Sequence, residues 1–448
     1  MESIFSFPQE FIFGTATAAF QVEGATHQDG RGDSIWDTQT RLPGVIKNGD
    51  TADFACDQYH RYEEDVALMK DLGVSAYRFS LSWPRLQPEG RGAVNPQGID
   101  YYNRLIDALL KAGITPWVTL FHWDLPQSLQ DSEGGWLSPH IADHFGDYAG
   151  LVAHAFSDRV KNFFTVNEFY CFTDKGYVQG DFPPRLKLPP HQAFAVRHHA
   201  LVAHGRAVQA LRASARGPIR VGFAENSQIM VPVIETPENV EAAKLAFRES
   251  NGAFITPILE GAYPERYLQT FGNEVPAFNP EDFKIIAEPL DFIGLNMYTP
   301  VYVQAEGKTG YKITHPTAHH PRMHVDWLKV DPSIAYWGPR IAWELWEKDI
   351  YITENGCSGT DVPDETGAIV DTDRVFYLRH HLREVSRCIS DGIPLKGYFL
   401  WSLLDNFEWN HGYSERFGIV YVDFSTQKRS KKLSYSFYKG TISRGRVV

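Results

Sequence analysis

The chain has 448 residues, of which 43% are hydrophobic and 22% are charged, and its formal net charge is −12 at pH 7. This composition is typical of a globular protein, and the acidic balance argues against nucleic acid or an anionic membrane as the main partner, since both bind basic surfaces. The N-terminus lacks a basic segment, and no apolar run approaches the roughly 18 residues needed to span a bilayer. We therefore expect a cytoplasmic protein without a leader or a membrane span.

Taken in order, the chain repeats one pattern: an amphipathic helix, a glycine, an apolar strand, and then polar or aromatic residues. Gly73, Gly113 and Gly392 each follow a helical pattern and precede a hydrophobic residue, as glycines that close helices do. Hydrophobic spacing predicts helices over 62–71, 102–111, 141–156, 193–211 and 375–390. Strands are predicted at 11–14, 76–80, 116–121, 162–166, 220–224, 292–296, 350–353 and 397–401.

Alternating helices and apolar strands predict parallel strands covered by helices, which is an α/β fold. Eight such strands favour a closed (β/α)₈ barrel over an open doubly wound sheet, which more often carries a glycine-rich phosphate loop after its first strand. No such loop occurs, so nucleotide binding is not expected. Without a linker or a low-complexity tract, we expect residues 1–448 to form a single domain.

Cysteines and histidines give little sign of a metal centre. Cys56, Cys171, Cys357 and Cys388 are far apart and lack a C-x-x-C spacing, so free thiols are expected. Four histidines crowd into the least regular segment, 305–339. Because they lack acidic or cysteine partners at regular spacing, we favour a solvated loop over a metal site there. The pairs His198-His199 and His380-His381 are predicted to lie on helix surfaces.

In a barrel of this kind, functional groups lie at the carboxyl ends of the strands. Those ends are rich in polar and aromatic side chains, which we expect to converge on one pocket. In strand order they are Gln21 and Glu23; Arg78; His122 and Trp123; Asn167 and Glu168; Asn296 and Tyr298; Glu354; and Trp401, Glu408 and Trp409.

Glu354 follows an apolar strand and precedes Asn355-Gly356. Taken alone, this stretch is typical of a hairpin whose Asn-Gly forms the turn and whose glutamate is solvated. The other strand ends change the interpretation, because Glu168 supplies a second carboxylate. The stretch is then better explained as the sharp exit from barrel strand seven.

Two carboxylates facing an uncharged, hydroxyl-rich ligand suit glycoside hydrolysis, in which one acid protonates the leaving oxygen while the other group attacks or activates water. Amide, imidazole and carboxylate groups suit sugar hydroxyls, and indoles suit the apolar face of a pyranose. The candidates for hydroxyl binding are Gln21, His122, Asn167 and Glu408, and those for the ring face are Trp401 and Trp409.

Five stretches, 13–24, 77–85, 120–126, 352–356 and 401–409, together resemble the family-1 glycoside hydrolases in their β-glucosidase branch. The resemblance extends over essentially the whole chain. It implies a (β/α)₈ barrel, retention of the β configuration, no cofactor, Glu354 as nucleophile and Glu168 as acid/base. It also implies a platform at Trp401 and a site for the non-reducing glucosyl unit formed by Gln21, His122, Asn167, Tyr298, Glu408 and Trp409.

Those roles require Glu354 to be ionised and Glu168 to be protonated at the start, so their surroundings must push the two pKa values apart. A cation beside Glu354 contributes to that, and Arg78 is the candidate, with Asn296 as a further supporting residue. The chain departs from the family at Phe169, where proline usually follows the acid/base glutamate. The segment 335–340 also matches the family only loosely, which leaves the aglycone side open.

Three alternatives remain open at this point. A phospho-β-glycosidase of the same family typically carries serine where Glu408 stands, and a carboxylate there opposes a dianionic phosphate. A non-catalytic sugar-binding barrel is disfavoured because both Glu168 and Glu354 are present. Transglycosylation uses the same covalent intermediate as hydrolysis, and the ranking of glucosides, galactosides and fucosides stays open.

Overall fold

The structure is a computed structural model that describes residues 5–307 and 309–448; the expectations for residues 1–4 and for Lys308 lie outside it. Eight parallel strands, β1 to β8, close into a barrel in sequential order, with β8 paired to β1. The predicted (β/α)₈ barrel is confirmed. The strands are β1 Ile12–Ala16, β2 Ala76–Ser80, β3 Thr115–Phe121, β4 Asn162–Asn167, β5 Arg220–Asn226, β6 Phe292–Asn296, β7 Asp349–Asn355 and β8 Leu395–Trp401.

Helices surround the barrel and fill the loops at its carboxyl end. Within the described residues, no helix is long and apolar enough to cross a membrane. The α-helices are Ala19–Val22, Ile35–Thr40, Gln58–Leu72, Trp83–Leu86, Pro96–Lys111, Gln127–Glu133, Ile141–Phe156, Phe169–Asp174, Pro190–Ser214, Pro237–Ser250, Ile255–Glu260, Glu265–Phe271, Asp282–Ile286, Ile334–Trp346, Thr372–Ser390 and Leu433–Arg444.

The predicted glycine stops are confirmed. Gly73, Gly113 and Gly392 have φ values of 85°, 80° and 84°, in the left-handed region that glycine adopts without steric cost. Four of the five predicted helices begin several residues earlier than expected, because their first turns are polar and carry little hydrophobic periodicity.

An aromatic layer fills the lower barrel interior. The Trp117 ring on β3 lies 4.9–5.8 Å, centroid to centroid, from rings on four other strands, which only an inward-facing side chain can reach. These rings are Phe164, Phe292, Tyr351 and Phe399. Directly above them, the Arg78 guanidinium carbon lies 5.0 Å from the Phe164 ring centroid. The barrel is therefore apolar below and polar at its carboxyl end, where it opens.

The segment predicted as a solvated loop, 305–339, contains regular structure, so that prediction was wrong in part. Strands Pro300–Glu306 and Gly310–Thr314 form an antiparallel pair, and Pro300–Glu306 also pairs in parallel with Ile229–Pro232. Alternating polar and apolar residues and a glycine at the turn account for the hairpin. His320 Nε2 lies 2.9 Å from the Tyr302 hydroxyl. In the described part of the chain, no cluster of three or more metal-binding side chains occurs.

The prediction for the cysteines is confirmed, whereas the surface positions predicted for two histidines are wrong. All four cysteines are buried free thiols, as expected. His198 and His381, predicted on the surface, are buried instead. His198 is paired with Tyr263 and Asp282, and His381 Nδ1 lies 2.8 Å from the Tyr377 carbonyl oxygen. Each lies on the inward face of a long helix, which local spacing does not reveal. Both ring nitrogens of His198 have partners, whereas within the described residues buried His381 Nε2 has none.

Candidate active site

The predicted strand-end residues other than Glu23 meet around one cavity of about 540 Å³ at the carboxyl end of the barrel. Its lining includes His122, Trp123, Glu168, Tyr298, Glu354, Trp401, Glu408 and Trp409. Gln21, Arg78, Asn167 and Asn296 lie behind these residues and are joined to them by hydrogen bonds.

Glu354 lies near the end of β7, and its side chain is held by two donors. Arg78 Nη1 lies 2.6 Å from Oε1, and the Tyr298 hydroxyl donates to Oε2 at 2.8 Å. Arg78 Nη1 also donates to the Thr353 carbonyl oxygen at 3.1 Å. The β2 guanidinium therefore fixes both the carboxylate and the strand that carries it.

The exit of β7 is as sharp as expected and is not a hairpin tip. Asn355 Nδ2 donates to the Met297 carbonyl oxygen at 2.7 Å, and Asn355 Oδ1 accepts from the Tyr398 hydroxyl at 2.8 Å. A Cβ atom on Gly356 would lie 1.7 Å from the Trp401 carbonyl oxygen, so only glycine allows the two strand ends to approach this closely.

Glu168 follows β4 directly and has left-handed backbone angles, φ 51° and ψ 77°. Its Oε1 accepts from Asn296 Nδ2 at 2.7 Å, and its Oε2 accepts from the Cys171 thiol at 3.0 Å. Both of these donors are uncharged. Glu168 thus differs from Glu354, which contacts a guanidinium.

Two asparagines link the surroundings of the two glutamates. Asn167 Oδ1 accepts from Arg78 Nη2 at 2.5 Å and from Asn296 Nδ2 at 3.0 Å. Asn296 Oδ1 in turn accepts from the Thr353 hydroxyl at 2.7 Å. One polar network therefore joins β2, β4, β6 and β7, and it holds both carboxyl groups in fixed orientations.

Burial raises the pKa of Glu354 to about 7, and the nearby charge of Glu168 acts in the same direction. Arg78 and the Tyr298 hydroxyl oppose the increase, since both stabilise the ionised carboxylate.

A polar edge of the cavity is formed by Glu408 and Gln21. Gln21 Nε2 donates to the Phe407 carbonyl oxygen at 2.8 Å and lies 3.4 Å from Glu408 Oε2. Within the described residues, buried Gln21 Oε1 has no hydrogen-bond partner. Burial, reinforced by the Glu354 charge, raises the pKa of Glu408 to about 8. This edge therefore offers both donors and acceptors to an uncharged, hydroxyl-bearing ligand.

An indole wall, formed by Trp401 and Trp409 beside the His122 ring, also lines the cavity. The His122 ring is nearly parallel to the Trp401 and Trp409 rings, with interplanar angles of 22° and 18° and centroids 5.9 and 6.0 Å away. Burial, together with the Arg78 charge, lowers the pKa of His122 well below its usual range. The imidazole is accordingly neutral near pH 7 and suits hydrogen bonding to a neutral ligand.

Glu23, predicted to join the pocket, does not line it. Its carboxylate accepts from Arg85 Nε at 2.8 Å and from the Tyr102 hydroxyl at 2.6 Å. The short helix Ala19–Val22 places Gln21 toward the cavity, whereas Glu23 points to the surrounding helices. Its role is to hold the loop after β1 in place.

Sequence reasoning missed several residues of the site. Cys171, Lys175 and Trp327 line the cavity, and only Cys171 had a usable signal, since it lies one helical turn after Glu168. Trp327 comes from the irregular segment before β7. Glu225, at the end of β5, was also missed: its Oε2 accepts from the Phe169 backbone N–H at 2.7 Å.

A barrel whose open end holds two buried carboxyl groups in different electrostatic settings, beside a polar edge and an indole wall, defines the class of glycoside hydrolases. The chain belongs to glycosyl hydrolase family 1, whose model matches residues 4–446.

Known relatives match this chain over nearly its full length. The chain is 42% identical to beta-glucosidase A of Thermotoga maritima over 437 residues, 97% of each protein. It is 40% identical to beta-glucosidase A of Acetivibrio thermocellus, over 98% of each. Among solved structures, it is similar to a Thermotoga maritima beta-glucosidase in complex with glucoimidazole, with a TM-score of 0.90, 41% identity, and coverage of 99% of this chain and 100% of that one.

Proposed function

We propose that the protein is a retaining β-glucosidase that releases terminal, non-reducing β-D-glucosyl residues from cello-oligosaccharides and from aryl and alkyl β-glucosides. The observation that carries this proposal is the contrast between the two carboxyl groups: Glu354 contacts the Arg78 guanidinium, whereas the Glu168 side chain contacts the uncharged donors Asn296 and Cys171. The names of the relatives support glucosides as the substrate class.

The division of labour follows from that contrast. In the reactive form Glu354 is ionised, since the Arg78 guanidinium favours the charged carboxylate, and Glu168 carries the proton that the leaving group needs. This form becomes populated as pH rises through the Glu354 pKa of about 7. Glu354 attacks the anomeric carbon while Glu168 protonates the departing glycosidic oxygen, and a covalent glycosyl-enzyme forms.

In the second half of the reaction, Glu168 has lost its proton and serves as a base. It removes a proton from water, the water attacks the anomeric carbon, and the bond to Glu354 breaks. Two inversions give overall retention. A sugar hydroxyl in place of water leads to transglycosylation, which we propose as a side activity, together with slower action on β-galactosides and β-fucosides.

Recognition of the glucosyl unit is assigned to the polar edge and the indole wall. Gln21 and Glu408 accept hydrogen bonds from sugar hydroxyls and donate hydrogen bonds to them. Further polar contacts come from His122, Asn167 and Tyr298. The indoles of Trp401 and Trp409 pack against the apolar face of the ring. A 6-phosphorylated sugar is disfavoured because its dianionic phosphate would lie among the carboxyl groups of Glu408, Glu354 and Glu415.

Hydrolysis of 4-nitrophenyl β-D-glucoside and cellobiose tests the proposal. We expect turnover by the wild type, with β-glucose as the first product in a proton NMR time course. Glu354→Gln should abolish turnover while keeping a cooperative melting transition at pH 6, and Glu10→Gln, at an exposed site, should leave turnover intact. Initial release of α-glucose, or near-normal activity of Glu354→Gln, would refute the proposal.

A further inference from the structure

Two consecutive residues at the end of β5 hold the two peptide N–H groups on either side of Glu168. The Glu168 N–H donates to the Ala224 carbonyl oxygen at 2.8 Å. The Phe169 N–H, one residue later, donates to Glu225 Oε2 at 2.7 Å. The backbone of Glu168 is thus fixed before and after its Cα atom by the same strand.

Such restraint matters because Glu168 adopts φ 51° and ψ 77°, a region that is unfavourable for a residue with a side chain. Neighbouring contacts must hold this conformation. The Ala224 contact is an ordinary backbone bond of the barrel. The Glu225 contact comes from a side chain that is only 2% exposed, and it therefore depends on the residue at that position.

Glu225 also orients the helix that carries a direct partner of Glu168. Phe169 is the first residue of the helix Phe169–Asp174, and Glu168, which precedes it, makes no capping bond with its own side chain. The Glu225 carboxyl serves as that cap from another strand. Cys171, whose thiol donates to Glu168 Oε2, lies in the first turn of the same helix.

We propose that Glu225 is a positioning residue that fixes the Glu168 carboxyl for proton transfer by capping the Phe169 N–H. This inference rests on the proposed function, in which Glu168 is the acid/base. Burial raises the pKa of Glu225 well above its usual range, and the Phe169 N–H opposes that increase. Glutamine is accordingly a close substitute, because its amide oxygen accepts the same hydrogen bond.

Leaving-group dependence separates positioning from a general loss of stability. A poor leaving group such as phenol needs protonation by Glu168, whereas 2,4-dinitrophenol departs without it. Displacement of the acid therefore lowers kcat/KM for phenyl β-D-glucoside while sparing kcat/KM for the dinitrophenyl glucoside. Since Glu168 also serves as the base of the second step, kcat and KM for the dinitrophenyl substrate should fall together.

The experiment compares Glu225→Met, which removes the acceptor at similar volume, with Glu225→Gln, which retains it. For Glu225→Met we expect kcat/KM to fall about 20-fold or more on phenyl glucoside and by no more than about 3-fold on the dinitrophenyl glucoside. Glu225→Gln should stay within about 3-fold of the wild type on both. Equal losses on both substrates with unchanged KM would assign Glu225 a merely structural role and overturn the inference.

Phe169→Pro supplies a second test, because proline has no N–H to donate. In that background Glu225→Met should change the phenyl glucoside rate by about 2-fold or less. If Glu225→Met lowers the phenyl glucoside rate of the Phe169→Pro variant as much as it lowers that of the wild type, the inference is contradicted. A wild type that hydrolyses neither aryl glucoside refutes the proposed function itself, whereas an active wild type with a fully active Glu225→Met refutes only the role of Glu225.

Discussion

Arg78 and Glu354 form a buried ion pair across the barrel mouth, with 2.6 Å between Nη1 and Oε1 and side chains only 2% and 5% exposed. Because the same guanidinium bonds to Asn167, the pair connects the nucleophile candidate to the strand that carries Glu168. This arrangement makes the two glutamates chemically different, and several expected outcomes depend on it.

Removal of the cation should impair both activity and stability. Arg78→Met leaves Glu354 buried without its counter-charge, which raises the pKa of Glu354 further and depletes the nucleophilic form. We expect kcat/KM on 4-nitrophenyl β-D-glucoside to fall by about 100-fold or more, and unfolding free energy to fall by about 3–5 kcal/mol.

Arg104→Met is the matched control, since the Arg104–Asp100 pair is 48% and 68% exposed. Its effect on stability should stay within about 0.5 kcal/mol and its kinetics should not change. Denaturant titration and initial rates measure both quantities. Comparable losses of stability and activity in the two variants would show that Arg78 has no special role.

Stability should fall as pH rises, because the pKa of Glu354 is raised from 4.5 to about 7 in the folded protein. The folded state then binds the proton more tightly than the unfolded state, so this contribution is complete below about pH 4.5 and is lost as pH rises through about 7. Glu354→Gln cannot titrate. Between pH 5 and pH 8 its unfolding free energy should therefore decrease less than that of the wild type, by about 2–3 kcal/mol.

Chemical denaturation at pH 5, 6.5 and 8 measures this difference. The unfolding free energy of Glu408→Gln should likewise depend less on pH than that of the wild type. This difference should extend to higher pH, because the pKa of Glu408 is raised to about 8. Parallel pH profiles for the wild type and both variants would contradict the raised pKa values.

Glu408 should determine the choice between plain and phosphorylated sugars. In Glu408→Ser the hydrogen bonds to the sugar are lost, so kcat/KM for 4-nitrophenyl β-D-glucoside should fall by about 10- to 100-fold. The activity ratio of the 6-phosphorylated to the plain substrate should rise, most clearly above about pH 8, where Glu408 of the wild type is ionised and repels the phosphate. Rates on the two substrates give this ratio directly, and an unchanged ratio would place Glu408 away from the sugar 6-position.

Glu23 should matter for stability alone. Glu23→Gln leaves the buried Arg85 without its carboxylate partner, and we expect a loss of about 3–5 kcal/mol in unfolding free energy. KM on aryl glucosides should remain within about 2-fold, because Glu23 does not line the cavity. A large rise in KM at unchanged stability would show that Glu23 contributes to substrate binding after all.

The barrel and most of the candidate site follow from sequence because both depend on short-range patterns. Parallel strands bring their carboxyl ends to one edge, so Glu168 and Glu354 meet wherever the intervening helices lie. Glu23 was misplaced because a four-residue helix sets its direction through tertiary contacts. Glu225 was missed because its partner is a backbone N–H, which no residue pattern marks, and the 300–314 hairpin was missed because its strands lie outside the barrel repeat.

Covalent trapping shows directly whether Glu354 attacks the anomeric carbon of the sugar. Incubation with a 2-deoxy-2-fluoro-β-D-glucoside bearing a good leaving group slows the second step and accumulates the glycosyl-enzyme. Mass spectrometry of the intact protein should show one fluoroglucosyl group per chain, and peptide mapping should place it on Glu354. A label on Glu168 or another residue, or inactivation without any covalent adduct, would show that Glu354 is not the nucleophile.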